Sequence, residues 1–198
     1  WKPNGEKCPV TNLKDGNGVR VVYEGNGAVF QRENYKDGLQ HGTMIFYNHD
    51  GTESWRATYK DGVKVGSIWY NPDGTESWSA TYKNGVEVGS INYGYYSNRQ
   101  KKSEVTERDD KTMTVIAWKP NGEKCPHTNV VNGNGVWVKY TVEGREALRI
   151  TYKNGVQDGP YTERHPNGRI HRLYQYKNGK LDGLLVSYLE DGTEYSRM

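Results

Sequence analysis

"GTMIFYNHDGTESWRATYKDG" (residues 42–62) contains two strand-length segments and two different turns. The segments are rich in β-branched and aromatic residues and are bounded by polar turn residues, the pattern of a β-hairpin. Its tip, "NHDG" (48–51), returns as "NPDG" (71–74), "KPNG" (119–122), "HPNG" (165–168) and "LEDG" (189–192). Pro, then Asp or Asn, then Gly suits a type I turn closed by a glycine at positive φ. The other turn is Lys-Asp-Gly or Lys-Asn-Gly after a Tyr. It offers the Asp-Gly and Asn-Gly pairs that two-residue hairpins favour.

The same unit repeats along the chain. Tyr-Lys-[Asp/Asn]-Gly begins at Tyr35, Tyr59, Tyr82, Tyr152 and Tyr176, at intervals of 24, 23, 70 and 24 residues. The long interval holds about three further periods. Within it "NRQKKSEVTERDD" (98–110) keeps the frame, with Arg99 in place of the turn Gly and Glu107 in place of the Tyr. "TNVVNGNG" (128–135) occupies the place of "YKNGVQDG" (152–159).

A longer duplication overlays the short one. Residues 1–60 match 118–177 without a gap at a shift of 117, bringing Tyr23 onto Tyr140 and Tyr35 onto Tyr152. "WKPNGEKCP", at 1–9 and again at 118–126, is therefore one repeat variant reached twice. Its cysteine marks a position in the repeat. The expectation is an all-β, elongated, twisted antiparallel meander: one array over 1–198 of about eight hairpins of 21–25 residues, degenerate over about 94–134.

Alternation assigns faces, since a strand exposes successive side chains on opposite sides. Trp55, Ala57 and Tyr59 share one parity, as do Trp78, Ala80 and Tyr82, and Leu148, Ile150 and Tyr152. Counted from the tips, they are expected to share a Tyr-studded core face with Ile45, Tyr47, Ile68, Tyr70, Val138, Tyr140, Val186 and Tyr188. The opposite face is expected to be mixed, with Phe46, Trp69 and Trp137 beside Arg56, Thr58, Ser79 and Thr81.

Composition agrees with a folded chain. Large aliphatic residues are few, but there are 16 Tyr, six Trp and two Phe, and disordered chains are poor in aromatics. The 27 basic and 24 acidic residues interleave, leaving a net charge of +3 and no patch to attract nucleic acid. No apolar run approaches the ~20 residues of a membrane-spanning helix. The chain starts at Trp1 without a Met, so its native N-terminus is read as missing. The compartment is open, with a cytoplasmic location preferred over export or the cell surface.

The recurring "Y-K-[DN]-G-x-x-x-G" followed by "Y-x-x-[DN]-G", at 23–24 residues, resembles the MORN repeat. The variant with Lys after the Tyr is most similar to bacterial YwqK-type antitoxin proteins. "NRQKKSEV" (98–105) departs from that pattern by its Arg99. The resemblance implies a meander of hairpins and a role as adaptor, membrane-associated scaffold or antitoxin. Repeat proteins share a fold and not a task.

Candidate chemistry is sparse. The histidines at 41, 49, 127, 165 and 171 lie mostly in or beside turns; His165 and His171 flank one tip and are placed so that they can face each other across it, without a third ligand at metal spacing. The "GNG" triplets (16–18, 25–27 and 133–135) lack the Lys-Ser/Thr and helix of a phosphate loop. Cys8 and Cys125 lack Cys-x-x-Cys spacing and are expected to pack near hairpin tips as free thiols. Glu53, Glu76, Glu146 and Glu194 recur at equal positions and are expected to pair with Lys or Arg neighbours. No enzyme activity, cofactor or metal is expected. The preferred reading is a non-catalytic scaffold that binds a protein partner, such as a cognate toxin, through Phe46, Trp69, Trp137 and Arg56. The alternatives are a self-assembling structural protein, which binds copies of itself, and a less favoured membrane-associated scaffold.

Overall fold

The computed structural model describes residues 1–108, 112–183 and 185–197. None of them is helical. Sixteen strands follow in chain order: β1 (Gly18–Tyr23), β2 (Val29–Lys36), β3 (Leu39–Tyr47), β4 (Glu53–Lys60), β5 (Val63–Tyr70), β6 (Glu76–Lys83), β7 (Val86–Tyr95), β8 (Lys101–Arg108), β9 (Met113–Ala117), β10 (Gly135–Tyr140), β11 (Glu146–Lys153), β12 (Val156–Arg164), β13 (Ile170–Lys177), β14 (Lys180–Leu181), β15 (Val186–Tyr188) and β16 (Glu194–Arg197). The bounds of β1 to β4 recur in β10 to β13 displaced by 117 residues, so the long duplication is structural. Glu107 lies near the end of β8; "TERDD" runs on into residues 109–111, outside the described residues.

The strands form an antiparallel meander in two sheets, nine strands from β1 to β9 and seven from β10 to β16. The single continuous sheet expected from the repeat frame is thus corrected. Between β9 and β10 the chain runs through irregular residues 118–134, which bond to strands on both sides without becoming a strand. Cys125 N donates to Ala117 O of β9 at 2.7 Å, and Asn129 N to Val136 O of β10 at 2.9 Å. By compactness the chain divides into two units, 1–90 and 91–198.

Both turn types take the predicted forms. At the tips Gly74 has φ 83°, and Gly51, Gly122, Gly168 and Gly192 are likewise positive. Each tip closes a short hydrogen-bonded loop, as where Gly74 N donates to Asn71 O at 2.9 Å. Arg99 performs the same job with φ 65°, donating its N–H to Tyr96 O at 2.9 Å. At the Asp-Gly and Asn-Gly turns both central residues have positive φ, as in Asp61 (50°) and Gly62 (81°), the signature of a type I′ turn.

These turns also bond to one another. Gly38 N donates to Gly16 O at 2.9 Å and Gly62 N to Gln40 O at 2.8 Å; in the second unit Gly155 N bonds Gly133 O at 3.0 Å and Gly179 N bonds Gln157 O at 2.8 Å. The approach is so close that a Cβ on Gly16 would meet the Gly38 backbone nitrogen, so glycine is required there.

The core is thin. In the first unit it consists of small or branched side chains shielded by neighbouring rings: Ile45, Ala57, Ser67 and Ala80. In the second, Tyr96, Ala117, Cys125, Val138 and Tyr140 form one buried cluster, flanked by Val136 and Trp137.

Candidate functional site

The register decides which side chains share a face, and it revises the expectation. Each tip carries a bulge: Tyr47 pairs with Glu53 but Phe46 with Trp55, leaving Ser54 unpaired. One extra residue inverts the parity of everything beyond it. Trp55 therefore stands opposite Phe46 instead of Ile45, and Ala57 opposite Met44. The same bulge between Trp69 and Tyr70 sets Trp78 opposite Trp69 and Ser79 opposite Ile68. The second-strand residues do not share a face with Ile45, Tyr47, Ile68 and Tyr70; they share it with Phe46 and Trp69. In the second unit a bulge at the tip sets Ile150 opposite Trp137 and Arg149 opposite Val138.

The result in the first unit is a cross-strand row of Val22, Gln31, Phe46, Trp55, Trp69 and Trp78. Its rings touch in sequence. Phe46 meets Trp55 at 5.4 Å between centroids, and Trp55 meets Trp69 at 5.9 Å. Phe30, the unpaired residue of the preceding bulge, meets Phe46 edge-on at 5.2 Å. Such contacts contribute about 0.5–1.5 kcal/mol each beyond area burial. Met44, Phe46, Ser54, Trp55 and Trp69 line an open groove of about 440 Å³. Trp69 is 50% exposed and Phe30 39%, whereas Ala57, on the same face, is fully buried. Polar groups border the rings: Gln31 beside buried Glu33, and the Lys64 ammonium 3.9 Å from the Tyr82 ring centre.

Of the four residues named from the sequence, Phe46 and Trp69 are brought together and the other two are not. Arg56 pairs with Ile45 and Ile68 on the opposite face. There it binds Glu53, with Nε at 3.1 Å and Nη2 at 2.7 Å from its oxygens, and this bond raises the guanidinium pKa. Trp137, in the second unit, packs against the buried cluster with Lys139 4.2 Å over its ring, and its indole N–H is buried without a hydrogen-bond partner among the described residues. Its ring contact among the described residues is with Tyr152 at 6.5 Å rather than with a second indole. Sequence reasoning missed Phe30 and Trp55 as members of the row. The signal was present in the three-residue tips, whose closing glycine is the usual companion of a bulge.

The remaining candidates take structural places. Glu146 and Glu194 repeat the Glu53 arrangement with Arg149 and Arg197, three residues on; after Glu76 the corresponding residue is Ser79. The rings of His165 and His171 lie 4.3 Å apart, and among the described residues no group of three or more His, Cys, Asp or Glu is placed to hold a metal. Cys8 and Cys125 are buried free thiols. Cys8 Sγ lies 2.8 Å from the Tyr23 hydroxyl and accepts from Thr11 N at 3.2 Å; Cys125 Sγ lies 3.3 Å from the Tyr140 hydroxyl. Tyr140 is pushed up by its burial and by this contact.

No protein-family model matches the chain, and no curated protein matches it.

Proposed function

We propose that the chain is a non-catalytic repeat scaffold that binds a protein partner on the aromatic face of its first unit. The observation that carries this reading is the continuous Phe30–Phe46–Trp55–Trp69 row, with its outer rings in solvent. Stacked rings bordered by polar groups lose little conformational entropy on contact, and Trp is the commonest anchor of protein interfaces. The repeat motifs' similarity to MORN and YwqK-type proteins supports an adaptor or antitoxin as the specific form, with a toxin as the first partner to try.

Affinity capture from the native host with the wild-type chain and with Trp69→Ala tests the reading. Because Trp69 is half exposed, the variant is expected to stay folded, with a melting temperature within a few degrees of wild type, and to lose the captured partner. Equal capture by both chains, or unfolding of Trp69→Ala, overturns it.

A further inference from the structure

Asn-Gly occurs ten times in the chain. It is the pair most open to reaction with itself, because a glycine amide nitrogen, with no Cβ beside it, closes readily on the preceding asparagine's Cγ. Hydrogen bonds restrain that reaction by holding the glycine N–H, the asparagine side chain, or the turn that carries both. The fold supplies such a restraint at nine of the ten pairs.

At the tips, Asn4, Asn26, Asn121 and Asn167 each accept through Oδ1 from the amide two residues on, at 2.9–3.1 Å. The glycine after each donates its N–H to the carbonyl that opens the tip loop. Asn17 and Asn134 have both ends of the side-chain amide bonded: Oδ1 accepts from Asp37 N and Asn154 N, and Nδ2 donates to Asp15 O and Asn132 O. Asn132, Asn154 and Asn178 stand in type I′ turns tied to a neighbour. Gly133 N donates to Met113 O at 2.6 Å, Gly155 N to Gly133 O at 3.0 Å and Gly179 N to Gln157 O at 2.8 Å. Asn154 N and Asn178 N are held as well, by Asn134 Oδ1 and Asp158 Oδ2, both at 3.1 Å.

Asn84-Gly85 is the tenth pair. Among the described residues neither Asn84 N, the Asn84 side chain nor Gly85 N has a hydrogen-bond partner, and both residues are exposed. The cause lies one strand earlier. β5 has eight residues where β3 and β12 have nine. Gly42 and Gly159 take positive φ (88° and 120°) and pair with Tyr59 and Tyr176, whereas Gly66 pairs with Thr81 as an ordinary ladder residue. With the register moved by one, the Lys64 carbonyl, counterpart of Gln40 O and Gln157 O, does not receive Gly85 N. The side-chain acceptor is lost too. His41 Nδ1 accepts from Asp61 N at 3.4 Å and Asp158 Oδ2 from Asn178 N, but the equivalent residue here is Val65, a hydrocarbon.

We infer that Asn84 is a self-modification site, deamidating through Gly85 ahead of the other nine pairs. Gly85 N bonds to Asn84 Cγ and gives up its proton; the Cγ–Nδ2 bond breaks, and Nδ2 leaves as ammonia with that proton. The five-membered imide then takes up one water. Opening at one carbonyl leaves aspartate, and opening at the other leaves isoaspartate, with one more methylene in the backbone. Either product adds a negative charge, and isoaspartate also breaks the turn geometry that joins β6 to β7. The turn must open before Cγ and the glycine nitrogen meet, and opening is easier where no bond ties the turn to its neighbour.

The chain carries its own control. Residues 81–86 and 151–156 both read Thr-Tyr-Lys-Asn-Gly-Val, so Asn84 and Asn154 share their local sequence and differ in what the fold bonds to them. The test is incubation of the full chain at mildly alkaline pH, sampled over time by glutamyl-endopeptidase digestion and mass spectrometry. Peptides 77–87 and 147–163 report the two sites separately. Asn84 is expected to convert about tenfold faster than Asn154, the effect of two hydrogen bonds at their usual net strength. In guanidinium chloride the two rates are expected to be equal. Hydrogen exchange of the folded chain is expected to find the Gly85 amide unprotected and the Gly155 amide protected. Equal rates in the folded chain, earlier conversion at another Asn-Gly pair, a rate difference that survives in guanidinium chloride, or a protected Gly85 amide overturns the proposal.

Discussion

The Glu33 carboxylate, buried to 4% exposure, accepts a bond from Arg20 Nη1 at 3.0 Å across β1 and β2, and 117 residues later the same facing positions hold Trp137 and Ile150. Gln31 Nε2 (2.7 Å), the Tyr35 hydroxyl (3.2 Å) and Gln40 Nε2 (3.3 Å) complete the shell around Glu33. One backbone thus accepts either a hydrogen-bonded ion pair or an apolar pair at the same place.

Removing one partner should therefore cost more than exchanging both. Glu33→Ala strips Gln31, Tyr35 and Gln40 of their shared buried acceptor, while the exposed Arg20 turns to water, and is expected to destabilise by about 1–3 kcal/mol. Arg20→Trp combined with Glu33→Ile copies the second unit and is expected to fall within about 1–2 kcal/mol of wild type. Urea unfolding of Arg20→Trp, of Glu33→Ile and of the double variant gives the coupling directly. Additive losses would mean the pair does not act as a unit.

At the tips, Gly74 at φ 83° and Arg99 at φ 65° make different predictions. Gly74→Val places a β-branched residue in the left-handed region and is expected to lose about 1–2 kcal/mol or more, whereas Pro72→Ala should lose little. Arg99→Gly relieves a left-handed backbone but frees the unfolded chain and gives up the arginine side chain, so it is expected to change stability by less than about 1 kcal/mol. Melting temperatures rank the three variants.

Much of this fold is legible because its turns are written in residues with little conformational choice. Asp61-Gly62 and Pro72-Asp73-Gly74 announce a hairpin wherever they stand, and Tyr35, Tyr59 and Tyr82 set its period. Faces are harder to read. Ser54 is an ordinary residue in sequence, yet as the unpaired member of a bulge it moves Trp55 from the side of Ile45 to the side of Phe46. Arg56 accordingly leaves the candidate surface, and Phe30 and Trp55 join it. The break after β9 was invisible for a related reason: residues 125–133 satisfy their backbone in both directions without strand geometry.

Acid should weaken the Glu–Arg pairs in a particular window. Partial burial pushes Glu146 up, but the bonds from Arg149 and Arg164 outweigh it and hold the carboxyl below its ordinary value of 4.5. A depressed folded-state pKa stabilises fully above that ordinary value, and the gain is lost as pH falls through the folded one. Glu146→Gln is expected to lower stability by about 1 kcal/mol at neutral pH, and the gap should close as pH falls below 4.5 through the folded carboxyl's lowered range. A gap that persists there would assign the loss to packing.

The two thiols offer an internal control. Burial pushes Cys8 up, but hydrogen bonds from Thr11 and Tyr23, with the Thr11 and Val10 backbone, bring it down to about 6. In the folded chain of a Cys125→Ser variant, the ultraviolet absorbance of the Cys8 thiolate is expected to persist down to about that pH, against about 8.5 for an unfolded thiol. Tyr23→Phe should move the inflection upward, and an unmoved inflection would remove the hydroxyl from the account.

Every ladder among β1 to β6 joins strands consecutive in sequence. Each pairing therefore closes a loop of only a few residues, so ordering entropy is met in small instalments and structure can spread from any hairpin to its neighbour like a zip. A chain assembled this way has no obligatory length. Excising one whole hairpin removes two strands and leaves the next hairpin facing the partner type it had before. The number of units is then free to change by duplication, and the 117-residue cycle, with its ion pair in one copy and its indole in the other, shows how two copies diverge once they are made.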